Sequence, residues 1–364
     1  MKNSPLKRRQ FLGFSSAFLG SLILKACGNT PDQYFTQESQ ELPIIEDRFT
    51  EKESIPFKIA IVLPGIITDK AWNQSGYEGV KLIEEKLGVE TAYVEQVSQA
   101  DQAETLAGFA RRGYNLVYAH GGQFDAAIQQ VAAQFPDTFF IGVNGAVSGE
   151  NIASLRIDHL QGSYLCGILG ALMTKSNQMA YITAQSFQAT DEELRGFELG
   201  AKSINPDIKI TPSYTGDWND AAKAKEATLA LISAGSDVIY QWLDNASPAV
   251  LQTAEEKGIY AFGNTVDQLN IAPKAVLTTP VKRLDLAINY LAELAEKKEL
   301  KGQIYSLGLD YSDILYMGEF NDVISDEMIS KINTIKEAIV SQKITFEPCQ
   351  ENGKSTLCVN KSLS

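Results

Sequence analysis

Apolar and polar positions along the chain follow two alternating periods. Residues 57–80 set the pattern: Ile59, Ile61 and Val62 form a β-branched run, Pro64 and Gly65 end it, and Val80, Ile83 and Leu87 recur at helical spacing. A strand, a polar loop and a helix are predicted. The same reading predicts strands over 91–94, 116–120, 139–143 and 152–157, with helices over 103–111 and 126–134 between them. A long helix over 160–173 leads to a second alternation, with strands over 179–183, 208–214, 238–242 and 260–263 and helices over 192–203, 221–234 and 248–257. A segment at 275–278 and helices over 283–295 and 326–340 complete the series.

Strands alternating with helices of this length imply right-handed crossovers and an α/β fold of two lobes, each a parallel sheet with helices on both faces. The first lobe is assigned to 56–157 with 280–310, the second to 158–279 with 311–348, and 349–364 to a tail. A chain that crosses between lobes more than once makes a hinge over a cleft. Ligands in open parallel sheets bind beyond the carboxyl ends of the strands, so the loop holding Asp69, Trp72 and Asn73 is expected to border that cleft.

The residues ahead of the folded part change the picture of location. Lys2, Lys7, Arg8 and Arg9 form a basic head, Phe11 to Leu24 carry no charge, and Ala26 precedes Cys27. Residues 1–26 thus read as an export signal. Arg8-Arg9-Gln10-Phe11-Leu12 resembles a twin-arginine signal, and Ala26-Cys27 resembles a lipoprotein cleavage box with Cys27 as the lipidated residue. An uncleaved anchor is the other reading, although the apolar stretch is short for a span. Both place the body outside the cytoplasm, and lipidation would hold it at the periplasmic face of a bacterial cell membrane. Residues 27–55, polar apart from Leu42 to Ile45, read as a flexible tether.

Charge and chemistry then narrow the function. Residues 1–26 hold five basic and no acidic side chains, so without them the formal charge goes from −13 to −18. Such acidity argues against a nucleic-acid partner. The two histidines, His120 and His159, form no metal-spaced cluster, and the chain has neither a Gly-x-Ser-x-Gly elbow nor a phosphate-cradling Gly-Lys-Ser/Thr loop. No cofactor, metal or catalytic activity is therefore expected. Cys166 sits in an apolar run and reads as core, whereas Cys349 and Cys358 flank a polar segment and could pair in an oxidising compartment.

Several blocks carry a resemblance. Asp69-Lys-Ala-Trp72-Asn73-Gln74-Ser75-Gly-Tyr77-Glu78-Gly79, Asn151-Ile-Ala-Ser-Leu with Gln161-Gly-Ser-Tyr-Leu, and Phe197-Glu-Leu-Gly-Ala-Lys202 with Asn205-Pro-Asp207 are followed by Gly216-Asp-Trp218-Asn219-Asp220 and Val281-Lys282-Arg283-Leu-Asp285. In this order they resemble the basic membrane protein family of ABC-transporter substrate-binding lipoproteins, which includes purine nucleoside receptors. The resemblance implies a two-lobed periplasmic-binding-protein type I fold that, as a monomer, binds a nucleoside, nucleobase or related heterocycle and delivers it to a membrane ABC permease. A sensory receptor for such a ligand, signalling to a membrane kinase or chemoreceptor, is the alternative output, and a nucleoside hydrolase using Asp69, Asp125, Asp244 or Asp267 as acid and base is the remote one.

The resemblance also implies a site. Trp72 would stack on a planar ring, a contact worth roughly 1–3 kcal/mol. Asn73 offers an acceptor and two donors to a base edge, and Asp69 an acceptor; a helix cap and a core contact are the competing roles for Asp69 and Trp72. After the third strand, Gln123 and Phe124 would supply a hydrogen bond and a wall, with Asp125 either a ligand group or a helix cap. Trp242 or Trp218 would form the opposite face, and Asp244 is a ligand group or a cap. Asn264, Thr265 and Lys282 complete the set. Thr265 departs from the family's sugar-gripping aspartate, while Asp267 is a candidate structural bridge to the hinge. A threonine hydroxyl accepts vicinal hydroxyls more weakly than a carboxylate does, so a base or modified nucleoside becomes as plausible a ligand as a ribonucleoside.

Overall fold

The first sheet is covered on both sides because its strands alternate two apolar sets. Ile59, Ile61 and Leu63 face one core with Val80, Ile83, Ile288 and Leu291, while Ala60 and Val62 face another with Leu106, Phe109 and Ile128. The computed structural model describes residues 57–68, 72–351 and 354–361; Cys27, the signal and tether segments and Asp69 lie outside the described residues.

The first lobe holds β1 (Lys58–Val62), α1 (Trp72–Leu87), β2 (Glu90–Val94), α2 (Gln102–Arg111), β3 (Leu116–His120), α3 (Asp125–Ala132), β4 (Phe139–Val143) and β5 (Ile152–Ile157). The chain then passes into the second lobe through α4 (His159–Met173), β6 (Gln178–Thr183), α5 (Gln188–Ile204), β7 (Lys209–Tyr214), α6 (Ala221–Ser233), β8 (Val238–Trp242), α7 (Ser247–Lys257) and β9 (Tyr260–Phe262). It returns by β10 (Pro280–Lys282) to α8 (Leu284–Glu296) and β11 (Ile304–Leu307). It leaves again by β12 (Leu315–Met317), α9 (Asp326–Val340), β13 (Ile344–Glu351) and β14 (Lys354–Lys361).

The first sheet runs β11-β5-β4-β3-β1-β2 and the second β7-β6-β8-β9, with every pairing parallel. β10 and β12 pair antiparallel where the chain changes lobes. Asp158 caps α4 at the first passage, accepting from the Leu160 and Gln161 amides at 3.0 Å each. In the second lobe Met179, Tyr181, Val238 and Tyr240 pack toward α4 and α5, while Ala180, Ile182 and Ile239 face Ala224, Leu231 and Val250 of α6 and α7.

The 275–278 segment, to which the sequence pattern gives no element type, makes a single bridge beside β9, with Leu277 N–H donating to Ala261 O at 2.8 Å. Two expectations change. Helix α5 begins at Gln188, ahead of the predicted 192, because the Thr190 hydroxyl accepts from Phe187 N–H at 3.0 Å and so starts a polar first turn. The expected tail, 349–364, falls largely in the β13–β14 hairpin, which begins at Ile344 within the stretch assigned to the second lobe. Cys349 and Cys358 are disulfide-bonded across it, with Cα atoms 5.8 Å apart. Arg195 of α5 holds it by donating to Leu357 O at 2.8 Å and pairing with Glu351 at 2.7 Å.

Candidate functional site

The chain just past the strands' carboxyl ends lines two adjoining chambers of about 490 and 540 Å³, with Trp72, Asn144, Trp242 and Asp244 in the walls of both. Trp72 comes from the first lobe and Trp242 from the second. Each indole has an imidazole against it: His120 stacks on Trp72 with centroids 4.1 Å apart, and His159 lies 4.7 Å from Trp242. His120 Nε2 also lies 2.8 Å from Trp72 O, which fixes the first pair to the turn that opens α1.

The first chamber ends at a buried polar group. Lys282 of β10 donates to Glu193 of α5 and to Asn264 Oδ1 at 2.9 Å, and its ammonium lies 4.0 Å from the Trp242 ring centre. Asn264 Nδ2 donates to Glu193 Oε1 at 2.5 Å and to Gln241 O at 3.1 Å. Burial pushes the Glu193 carboxyl up and the Lys282 ammonium down, and their mutual attraction opposes both shifts. Thr265 lines the same end with φ 67°, a left-handed conformation uncommon for a β-branched residue, and its hydroxyl donates to Asn264 Oδ1 at 3.0 Å. His159 is buried and neither ring nitrogen has a hydrogen-bond partner among the described residues. Burial first, and then the Lys282 and Arg156 charges, hold its imidazole well below the usual range, so it is neutral at pH 7.

The second chamber is built on the turn after β3. Gly121 makes that turn with φ 130°, which a side chain would resist. Gln123 and Asp125 line the chamber, together with Trp218, Phe187 and Arg156. Asp125 Oδ2 accepts from Ala146 N–H at 2.8 Å, while Oδ1 is buried without a hydrogen-bond partner among the described residues. Burial raises its carboxyl, opposed by that amide. Arg156 of β5 reaches both Glu192 oxygens on α5 at 2.8 and 2.7 Å, an ion pair between the lobes.

The expected site residues divide accordingly. Trp72, Gln123, Asp125, Trp242, Asp244, Thr265 and Lys282 line the cleft, and Trp218 joins Trp242 there rather than replacing it. Phe124 is corrected: it is fully buried in the first lobe's core, because the turn sends its ring inward toward that face of the sheet. Asn73 is corrected as well. It is not among the lining residues, and its Oδ1 accepts from Gly65 N–H at 2.9 Å, bracing the loop after β1. Asn264 borders the first chamber, yet its amide is spent on the Glu193–Lys282 group rather than turned to the cleft. Asp267 accepts from the Leu269 and Glu319 amides, a bridging position outside the lining.

Sequence reasoning missed Glu193, His159, Arg156 and Asn144. Glu193 did leave a signal: it falls in helical register with Ala189, Phe197 and Ala201, an acid on the apolar face of α5.

Comparison with known proteins places this architecture. A family model described as ABC transporter substrate-binding protein, PnrA-like, matches residues 57–349. A second model, for the lumenal portion of the cytochrome b559 alpha subunit, matches only 30–57, ahead of the folded body. The chain is 30% identical to a transcriptional activator protein, med, of Bacillus subtilis over 85% of its length and 91% of the relative's. It is 32% identical to a purine-binding protein of Brucella abortus over 62% of its length and 64% of that protein's. An ABC transporter system solute-binding protein of Aeropyrum pernix, 18% identical, superposes with a TM-score of 0.69 over 82% of this chain and 95% of that one. The fold is thus the two-lobed periplasmic-binding-protein type I arrangement. With a family match that starts at β1 and runs into the terminal hairpin, the chain belongs to the PnrA-like ABC transporter substrate-binding proteins.

Proposed function

We propose that the protein binds a purine nucleoside, nucleobase or related heterocycle between its lobes and delivers it to the permease of an ABC importer. One observation carries this reading: an indole from each lobe borders the same two chambers. Trp72 and Trp242 supply faces for a flat ring, and Gln123, which lines the second chamber, carries an amide able to donate to and accept from a ring edge. A ligand touching both lobes stabilises the closed form, which gives a membrane partner something to recognise. The purine-binding name of the Brucella relative supports the ligand class. The export signal and Cys27 read from the sequence support an extracytoplasmic, lipid-anchored body. Binding without turnover completes the reading.

Mass spectrometry of the small molecule that copurifies with the protein, followed by calorimetry on purines, tests it. Trp242→Ala should weaken purine binding by roughly 1–3 kcal/mol. A wild-type protein that binds only plain sugars or amino acids would refute the ligand class. Regulation is the second reading, favoured by the transcriptional-activator name of the Bacillus relative. Loss of purine uptake in a deletion strain supports import, while unchanged uptake with altered gene expression supports sensing.

A further inference from the structure

Lys282 enters the cleft with its charge already matched from behind. Glu193, its partner, has no solvent exposure and sits on α5, below the chamber wall rather than in it. Either placement of the shared proton leaves the pair with no net charge. The other basic side chains that line the cleft are matched too. Arg156 makes two bonds to Glu192, and Arg283 makes two to Asp285, at 2.9 and 2.6 Å. Glu78 and Asp125 also line the cleft, and neither is in an ion pair among the described residues. An anion entering here would leave water for a wall whose described cations are all committed and whose spare charge is negative, which is costly.

The departure at Thr265 acquires a reason on the same grounds. A carboxylate at that position would face the ligand beside Lys282, where it could accept two hydroxyls. Here the balancing acid stands behind the lysine, and Asn264 and Lys282 occupy its oxygens.

We infer that Glu193 sets the ligand class: by balancing Lys282 from α5, it makes the cleft select an uncharged molecule over an anionic one. The choice of a heterocycle rests on the function proposed above, whereas the charge rule applies to any scaffold the cleft accepts. It assigns Glu193 a specificity role without contact to the ligand.

The test uses two neutral–anionic pairs, inosine with its 5′-monophosphate and ribose with its 5-phosphate. Binding is measured by calorimetry at about pH 6, where an uncompensated lysine is better kept protonated. Wild type is compared with Glu193→Gln and with the double variant Glu193→Gln/Lys282→Met, each checked by circular dichroism. In whichever pair binds, wild type should prefer the neutral member by about 100-fold or more. Glu193→Gln should bring that ratio below about tenfold by a gain on the anionic member, and the double variant should restore it. A wild-type ratio under about tenfold, or a ratio unmoved in folded Glu193→Gln, would overturn the inference. Should the single variant not fold, the wild-type ratio and the double variant decide. A response confined to the ribose pair would sink the heterocycle reading and leave the charge rule to be judged on that pair, while a response to neither would overturn both.

Discussion

Gly200→Ala isolates how closely α4 and α5 approach. On an open helix the change removes a glycine from a helix interior and should gain about 1 kcal/mol. At position 200 a Cβ would run into the Tyr164 carbonyl oxygen first, and would stand 2.9 Å from that carbonyl's carbon and 3.0 Å from Ile168 N, all backbone atoms of α4. Ordinary contacts of this kind are about 3.5–4.0 Å, so the helices must part by more than about 1 Å. No rotamer change relieves a clash between backbones. Overpacking of this kind costs about 1–3 kcal/mol, and the upper end applies because the seam also holds Tyr164, Ile168, Phe197 and Ala201, all buried. Set against the propensity gain, the net loss is about 2 kcal/mol, or a fall of about 4 °C in Tm for a body of this size. Gly108→Ala on α2 is the control: its nearest neighbour is the Arg111 guanidinium at 4.0 Å, so the same chemistry should raise Tm by about 2 °C. Melting followed by circular dichroism reads both. If Gly200→Ala stabilises as much as Gly108→Ala, the close approach of α4 and α5 is wrong.

Three further predictions follow from other parts of the molecule. His159 faces Glu193, Lys282 and Arg156 and is held neutral, so the unfolded chain takes up its proton first: this stability is complete above about pH 6.5 and lost as pH falls below it. Urea unfolding should show wild type losing about 1.4 kcal/mol more than His159→Phe between about pH 7.5 and 5.5; parallel profiles would show that His159 is not desolvated. Asn151 Nδ2 donates to Ala132 O, Phe135 O and Thr138 O at 3.0, 3.0 and 2.9 Å. Asn151→Ala should therefore cost about 2 kcal/mol in denaturant unfolding, and a loss below about 0.5 kcal/mol would mean that water replaces the amide. Cys349→Ser opens a short loop at the chain's end, so hydrogen exchange should quicken in 344–361 while Tm falls by no more than about 2 °C; a large global loss would make the hairpin part of the main core.

The alternation that defines the sheets was legible because strand and helix periods differ and each strand carries a complete apolar set. β3, β4, β5, β8 and α9 begin and end where the pattern predicts. The hairpin was not legible, since Glu347, Gln350 and Glu351 break any apolar period and its pairing is held by backbone bonds, the disulfide and Arg195. The site was legible at its aromatic walls and illegible behind them. Trp72 and Trp242 stand beside loop signals, but Glu193 lies 89 residues from Lys282 in the chain, and no local pattern joins two charges across that separation. Asn73 misled for a related reason: an amide in a helix's first turn serves the backbone of the loop before it as readily as a ligand, and only the position of Gly65 decides between them.

All of the protein's tryptophans, Trp72, Trp218 and Trp242, border the cleft. The molecule therefore carries its own optical probe, with no indole elsewhere to add background. A bound solute that overlaps these rings alters most of the ultraviolet emission at once, so occupancy can be followed in unlabelled protein. Because one fluorophore sits on the first lobe and two on the second, single-tryptophan variants would tell which half the solute reaches first.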